Sequence, residues 1–369
     1  MNNLTFNGSH AVSNCPQVME MDGEKALKTV AYSCVMFLSF TGNVLVILIV
    51  YKNRSMQTTV NFLIVNMAFS DLLQSIIAIP YRILNIVIAN GTDRWFVEGI
   101  VGEIFCKFVP FLLDISVGVS VLSLVLIAFD RFLGVVYPMR ASTISKRMHS
   151  CNLALTWVIS MGFHSPLFFT FRLVTSLDGI TYCTYSWNPM PDPSRSEEIY
   201  FLVTSTCLFI FPLLLLISLY STILIRLKRQ KTPGNDSFRN QKRIAKRNRN
   251  VLRMVLAVVV IFALCWLPLN TLGYINRYIW VKNSSTPCEA GTYIEWAFFI
   301  AYSNSFLTPC LYFLFSENYR QGLKQLFGRR VILIKTSFQT KPRNLYDGRE
   351  TSASESRAGM SLRGIQSQH

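Results

Sequence analysis

An all-α membrane protein, a bundle of seven transmembrane helices followed by an amphipathic juxtamembrane eighth helix, is the fold this sequence predicts, on three observations. Hydrophobic residues make up 51% of the chain and charged ones only 15%. The apolar residues gather in stretches almost free of Asp, Glu, Lys and Arg, each near the roughly 20 residues that a helix needs to cross a bilayer. The cations, which leave a net charge of +16, collect on alternate connections between those stretches.

Five stretches carry no charge at all: 29–50, 150–171, 199–225, 254–276 and 296–316. Two more, 60–81 and 108–129, each hold one acid, Asp71 and Asp114, which a bundle interior tolerates although lipid does not. Four regions follow: an extracellular N-terminal segment (1–28), the transmembrane domain (29–316), the amphipathic helix (317–327) and a disordered polar tail (328–369). Tyr319, Leu323, Leu326 and Phe327 repeat at helical spacing with Arg320 and Lys324 opposite, the pattern of a helix lying on a lipid surface. Thr232-Pro233-Gly234-Asn235-Asp236 breaks the chain between two basic helical ends. Pro80, Pro166, Pro212, Pro268 and Pro309 fall inside predicted helices, where a missing N–H and a bulky ring make kinks.

Orientation follows from the cations, which accumulate on the cytoplasmic side. With the N-terminus outside, 27 of the 36 Lys and Arg lie inside, eleven of them between Arg226 and Arg253 and ten after Ser316. A multi-pass protein of the plasma membrane results, with its C-terminus cytoplasmic. The positive excess is explained by topology and anionic lipid, so nucleic acid is not needed as a partner. A cleaved signal peptide is not evident at the N-terminus. No large soluble catalytic domain fits between the spans. The four histidines, His10, His149, His164 and His369, are too scattered for a metal cluster, and neither a phosphate-binding glycine loop nor a nucleophile elbow appears. The chain therefore reads as neither an enzyme nor a metalloprotein. Asn3, Asn7, Asn90 and Asn283 begin glycosylation sequons on the predicted outer face. Thr351, Ser352 and Ser354 lie between Glu350 and Glu355 in the tail and Ser356 follows directly, so phosphorylation would add dense negative charge to an acidic segment.

Short motifs recur in order through all seven spans: Gly42-Asn43, Asp71 in Ser70-Asp71-Leu72-Leu73, Asp130-Arg131-Phe132, Trp157, Pro212 with Tyr220, Phe262 to Pro268 with Cys265-Trp266-Leu267, and Thr308-Pro309-Cys310-Leu311-Tyr312. In this the sequence resembles the rhodopsin-like (class A) G-protein-coupled receptors. The segment Lys246 to Leu269 is similar to neuropeptide receptors of the tachykinin, galanin, neuropeptide Y and RFamide groups. Leu113 takes the position at which amine receptors carry their ammonium-binding Asp, and Asp114 lies one residue, about 100°, further round the helix. Tyr302 stands where an opsin has its retinal lysine.

The resemblance implies an extracellular peptide ligand in a pocket formed by Arg82, Leu113, Asp114, Val117, Trp266, Asn270, Arg277 and Tyr302. It implies coupling to a heterotrimeric G protein through Asp130, Arg131, Tyr220, Phe262, Trp266, Pro268, Pro309 and Tyr312, with the sixth span swinging outward. Arg131 then pairs with Asp130 at rest and turns to the G protein and Tyr220 on activation, while Tyr312 moves in. Asn248 stands where an acid often locks that arginine. Asp71, Ser120, Asn304 and Ser305 match the family's allosteric sodium pocket, although Thr308 replaces the usual Asn before Pro309. Cys106 and Cys183 match the family's disulfide, which leaves Cys15 and Cys288 as a second outer pair. Cys34, Cys151, Cys207, Cys265 and Cys310 read as small packing residues. The tail sites would then recruit arrestin after a receptor kinase has acted. The segment between Phe171 and Ile199, which contains Thr181-Tyr182-Cys183-Thr184-Tyr185, has the length of the hairpin lid such receptors use. Outer acids number 12 against 9 cations, while Arg82 and Arg277 at the pocket mouth favour an acidic group, so the two charge signals oppose each other. A scaffold of this fold that does not signal, or a small transporter or channel, is the alternative.

Overall fold

The computed structural model describes residues 22–88, 94–137, 146–177, 179–188, 190–229, 238–283 and 286–339. Among the described residues, seven helices are long and apolar enough to cross a membrane: α1 (Asp22–Lys52), α2 (Thr59–Val87), α3 (Gly99–Val136), α4 (Ser150–Thr170), α5 (Pro193–Lys228), α6 (Val251–Val281) and α7 (Ala290–Phe315). Two of them begin at side-chain caps. Thr58 caps α2 by accepting from the Asn61 N–H, and Asp192 caps α5 from the residue before an N1 proline by accepting from the Arg195 N–H. α3 packs against α2, α4 and α5, and α7 bridges α6 and α1.

Several boundaries depart from the sequence reading. α1 (Asp22–Lys52) already covers Asp22 to Lys28, which the sequence reading left in the N-terminal segment, with Asp22 and Glu24 where acids suit a helix start. α4 does not kink at Pro166: regular helix stops at His164, and Pro166 instead caps the short turn Leu167–Thr170 before the chain turns to strand. In α2 and α5 the expected kinks become wide π turns, Gln74–Ala78 and Thr206–Ile210. Each contains the carbonyl four residues before a proline, Ile76 for Pro80 and Leu208 for Pro212, where a regular turn would clash with the ring. Pro268 and Pro309 lie inside α6 and α7 as expected.

Met1–Leu326 forms one compact unit. Within it the helix after α7, α8 (Glu317–Gln339), buries Tyr319 and half-buries Leu323 and Leu326, while Arg320 and Lys324 are exposed. Phe327, expected on the apolar stripe, is exposed. The helix passes its expected end at Phe327 and continues to Gln339 within the second unit, since no proline intervenes before Pro342.

Between α4 and α5, β1 (Phe171–Thr175) pairs antiparallel with β2 (Thr181–Tyr185), and Gly179 in the connection adopts φ +74°. The Cys106–Cys183 disulfide, with Cα atoms 5.5 Å apart, ties this hairpin to α3. The Leu173 N–H donates to Glu103 Oε2 (2.9 Å) and the Trp95 N–H to the Thr181 carbonyl (2.8 Å), so the hairpin is held along its length.

Polar side chains in the spans face one another. Asn66 accepts from the Trp157 indole N–H (2.9 Å) and donates towards Ser123 (2.9 Å) and Thr156 (3.1 Å), joining α2, α3 and α4. Asn43 donates to the Ser39 and Ser305 carbonyls, each at 2.9 Å, joining α1 to α7. In hydrocarbon such groups have no water to fall back on. Large apolar residues such as Phe37, Ile76, Phe211 and Leu264 instead cover the outside of the bundle, as lipid contact requires. Four of the five cysteines read as packing residues, Cys34, Cys151, Cys207 and Cys310, are also exposed on that apolar exterior, and only Cys265 is buried. A thiol behaves as a small apolar group, at home in lipid as in a packed interior, so sequence apolarity did not distinguish the two faces.

Candidate ligand cavity and coupling face

At the hairpin end, a cavity of about 280 Å³ opens between α3, α5, α6 and α7. Pro110, Asp114 and Val117 form its α3 wall at spacings of four and three residues, one helical stripe. Trp266, Asn270 and Arg277 face it from α6, and Tyr185 of the hairpin reaches it from above. Burial raises the Tyr185 phenol above its ordinary range, and its oxygen accepts from the Trp187 indole N–H at 2.7 Å.

Of the eight expected ligand residues, Asp114, Val117, Trp266, Asn270 and Arg277 line this cavity, whereas Arg82, Leu113 and Tyr302 do not. Leu113, one step round α3, is buried with Tyr32, Ile79, Ile86 and Tyr302 in a separate cluster. Arg82 lies over the Phe298 ring at 4.9 Å, hydrogen-bonds Tyr302, and borders a second, smaller cavity of about 60 Å³ between α1, α2 and α7. Helical phase alone separates the two walls.

Arg277, expected to attract an acid, already has one. Its guanidinium donates to Glu197 Oε1 at 2.5 Å and lies 4.7 Å from the Phe201 ring centre, so α5 supplies its counter-charge across the cavity mouth while its Nε stays buried without a hydrogen-bond partner. Sequence reasoning missed His164 and Tyr200 as cavity residues, although a histidine in an otherwise charge-free span is a visible signal. His164 Nδ1 shares a hydrogen bond with Tyr200 Oη at 3.0 Å.

At the α8 end, Asp130 and Arg131 form the expected pair, with Arg131 Nε 3.0 Å from Asp130 Oδ2. Tyr220 and Tyr312 do not bond to that arginine. The Tyr220 hydroxyl is buried without a partner, while Tyr312 stacks on Tyr319 of α8 with ring centres 5.6 Å apart and donates weakly to Met67 Sδ at 3.9 Å. Ile127 of α3, Ile223 of α5 and Met254 and Val255 of α6 are buried in one apolar cluster with both tyrosines. Side chains therefore fill the space between α3, α5 and α6. The Phe262 and Trp266 rings are tilted by 32° with centres 6.1 Å apart; both line the cavity, and Phe262 also belongs to the apolar cluster. The side chain of Asn248 lies outside the described residues.

Midway along the bundle, Asp71 is 2% exposed, and its Oδ1 and the Asn304 Oδ1 are both buried without a hydrogen-bond partner. Ser120 is engaged with Ser70 (2.8 Å), Ser305 donates to the Tyr302 carbonyl (2.7 Å), and Thr308 donates to the Asn304 carbonyl (2.9 Å). Two unpartnered oxygens, one from a carboxylate, fit a small cation, which would remove the cost of a bare buried charge.

Cys288 is disulfide-bonded, and Cys15, its expected partner, lies outside the described residues. Asn283 is exposed. Asn3, Asn7, Asn90, Thr351, Ser352, Ser354 and Ser356 also fall outside them.

Comparison with known proteins agrees with this arrangement. The chain is 31% identical to a "QRFP-like peptide receptor" of Branchiostoma floridae over 315 residues, covering 84% of this chain and 79% of that protein. It is 29% identical to "Neuropeptide receptor 22" of Caenorhabditis elegans over 333 residues (83% and 72%) and 29% identical to "Neuropeptide FF receptor 2" of Rattus norvegicus over 311 residues (80% and 71%). Residues 42–312 match the family described as "7 transmembrane receptor (rhodopsin family)", and the chain belongs to that family.

Proposed function

We propose that this chain is a cell-surface receptor that binds an extracellular peptide in the hairpin-end cavity and activates a heterotrimeric G protein at the α8 end. The observation that carries the reading is the pairing of that cavity with the Asp130–Arg131 pair at the opposite end of a chain similar to peptide receptors along most of its length. The N-terminus is then extracellular, the C-terminus cytoplasmic and the membrane the plasma membrane. A silent scaffold and a transporter are not favoured by this combination.

The mechanism is a shared two-state equilibrium. In the arrangement described, apolar side chains of α3, α5 and α6 occupy the site where a G-protein helix would enter, and Asp130 holds Arg131. Moving α6 outward empties that site and frees Arg131 for Tyr220 and the partner. A peptide that binds better to the opened bundle shifts the equilibrium, and the G protein shifts it by the same means from the other side, so each raises the other's affinity. Sodium between Asp71 and Asn304 would favour the closed state. Kinase action on the tail, arrestin recruitment and contact of α8 with anionic lipid complete the proposal.

A peptide-library screen in cells expressing the chain, read through calcium and cyclic AMP, tests it. A response absent from untransfected cells is expected. Silence across the library despite verified surface expression would count against a signalling peptide receptor.

A further inference from the structure

Among the described residues, the cavity wall holds one acid with no cation within hydrogen-bond distance of it. Asp114 projects into the cavity with a side chain 44% accessible, and its nearest cationic candidate, His164 Nδ1, is 3.9 Å away and already shares its hydrogen bond with Tyr200. A separation of 3.9 Å is beyond hydrogen-bond length. Arg277, the only Lys or Arg among the described lining residues, is held by Glu197. The remaining wall near Asp114 is apolar or aromatic, including Pro110, Val117, Leu167 and Phe171. A second acceptor, Asn276 Oδ1, faces the same cavity, buried and without a partner.

A ligand that fills the cavity would strip this accessible carboxylate of its water, a cost that a cationic group on the ligand offsets. Charge-assisted hydrogen bonds to a donor cation would satisfy both oxygens at once. Aromatic faces on the same wall favour the cation further. We infer that Asp114 is the docking point for a cationic nitrogen group of the ligand, a guanidinium or a primary ammonium, carried on an apolar or aromatic segment that fills the rest of the cavity. This rests on the receptor reading above and decides the sign that the sequence left open: the Arg277 signal is cancelled within the protein, whereas the Asp114 signal is not.

The test uses three small probes on the purified full-length protein in lipid nanodiscs: phenethylguanidine, phenethylamine and the neutral isostere phenethylurea. Thermal stability is measured against probe concentration, because a compound that binds the folded form raises the melting temperature. Both cationic probes are expected to stabilise the native chain at concentrations at which the urea does not, and the better of the two identifies guanidinium or ammonium. Asp114→Asn should weaken the cationic probes by about thirtyfold or more. Asp114→Glu, which keeps the charge, should retain part of the selectivity.

A native chain that shows no preference for cation over urea overturns the inference even if neither variant folds. Cation selectivity that persists in a folded Asp114→Asn protein overturns it equally. The readout needs no G protein, so failure of the signalling reading would appear separately, as silence in the cell screen with probe binding intact.

Discussion

Gly42 of α1 lies so close to Pro309 of α7 that a Cβ on the glycine would stand 2.8 Å from the proline Cγ. Real Cβ contacts are not that short, so the two helices meet at a distance only glycine allows. One residue further on, Asn43 donates to the Ser305 carbonyl, one turn before Pro309. A glycine and an amide in α1 thus seat the proline region of α7 that is proposed to move during activation.

Replacing that glycine should therefore disturb α7. Gly42→Ala is expected to destabilise the bundle by about 1–3 kcal/mol, the range for overpacking. The melting temperature of purified protein measures it, and an unchanged value would show that α1 and α7 separate at no cost.

Arg131→Ala should reach the surface and bind agonist yet fail to promote nucleotide exchange on the G protein. Arg131 is 31% accessible and the Asp130 carboxylate that its removal leaves unpaired keeps 19%, so the cost falls on a group that solvent still reaches. Full exchange at equal expression would refute the role.

Asp71→Asn should abolish any stabilisation specific to sodium. The native protein is expected to melt higher in sodium chloride than in choline chloride at equal ionic strength, by mass action on the folded form. Equal melting in the two salts would mean that Asp71 is neutralised by a proton, with Asn304 left to water.

The second outer disulfide can be mapped chemically. A peptide containing both Cys15 and Cys288 is expected from a non-reducing digest, beside the Cys106–Cys183 pair seen directly. A Cys15 that alkylates without reductant would give Cys288 a different partner.

Truncation after Phe338 removes Thr351, Ser352, Ser354 and Ser356. Agonist-driven arrestin recruitment should then be lost while nucleotide exchange survives. Recruitment at the full-length level would move arrestin's docking site elsewhere on the chain.

The sequence by itself determined the seven spans and the disulfide-tied hairpin that its resemblance implied, because hydrocarbon demands long uncharged stretches and those are visible without coordinates. It also placed Asp130, Arg131, Tyr220 and Tyr312 near one end, since each sits at the same depth in its own span. Only the tertiary structure decided which side of each helix faces what. Leu113 and Asp114 are neighbours in sequence, yet one packs with Tyr302 and the other opens onto the cavity. Arg277 read, with Arg82, as a cation open to an acidic ligand until Glu197, 80 residues away, met it across the cavity mouth. The cysteines at 34, 151, 207 and 310 read as packing residues until the bundle turned them outward. Apolar content reports that a helix is in the membrane, but the interior and the lipid are both apolar, so helix rotation is fixed by packing and by polar partners on other helices.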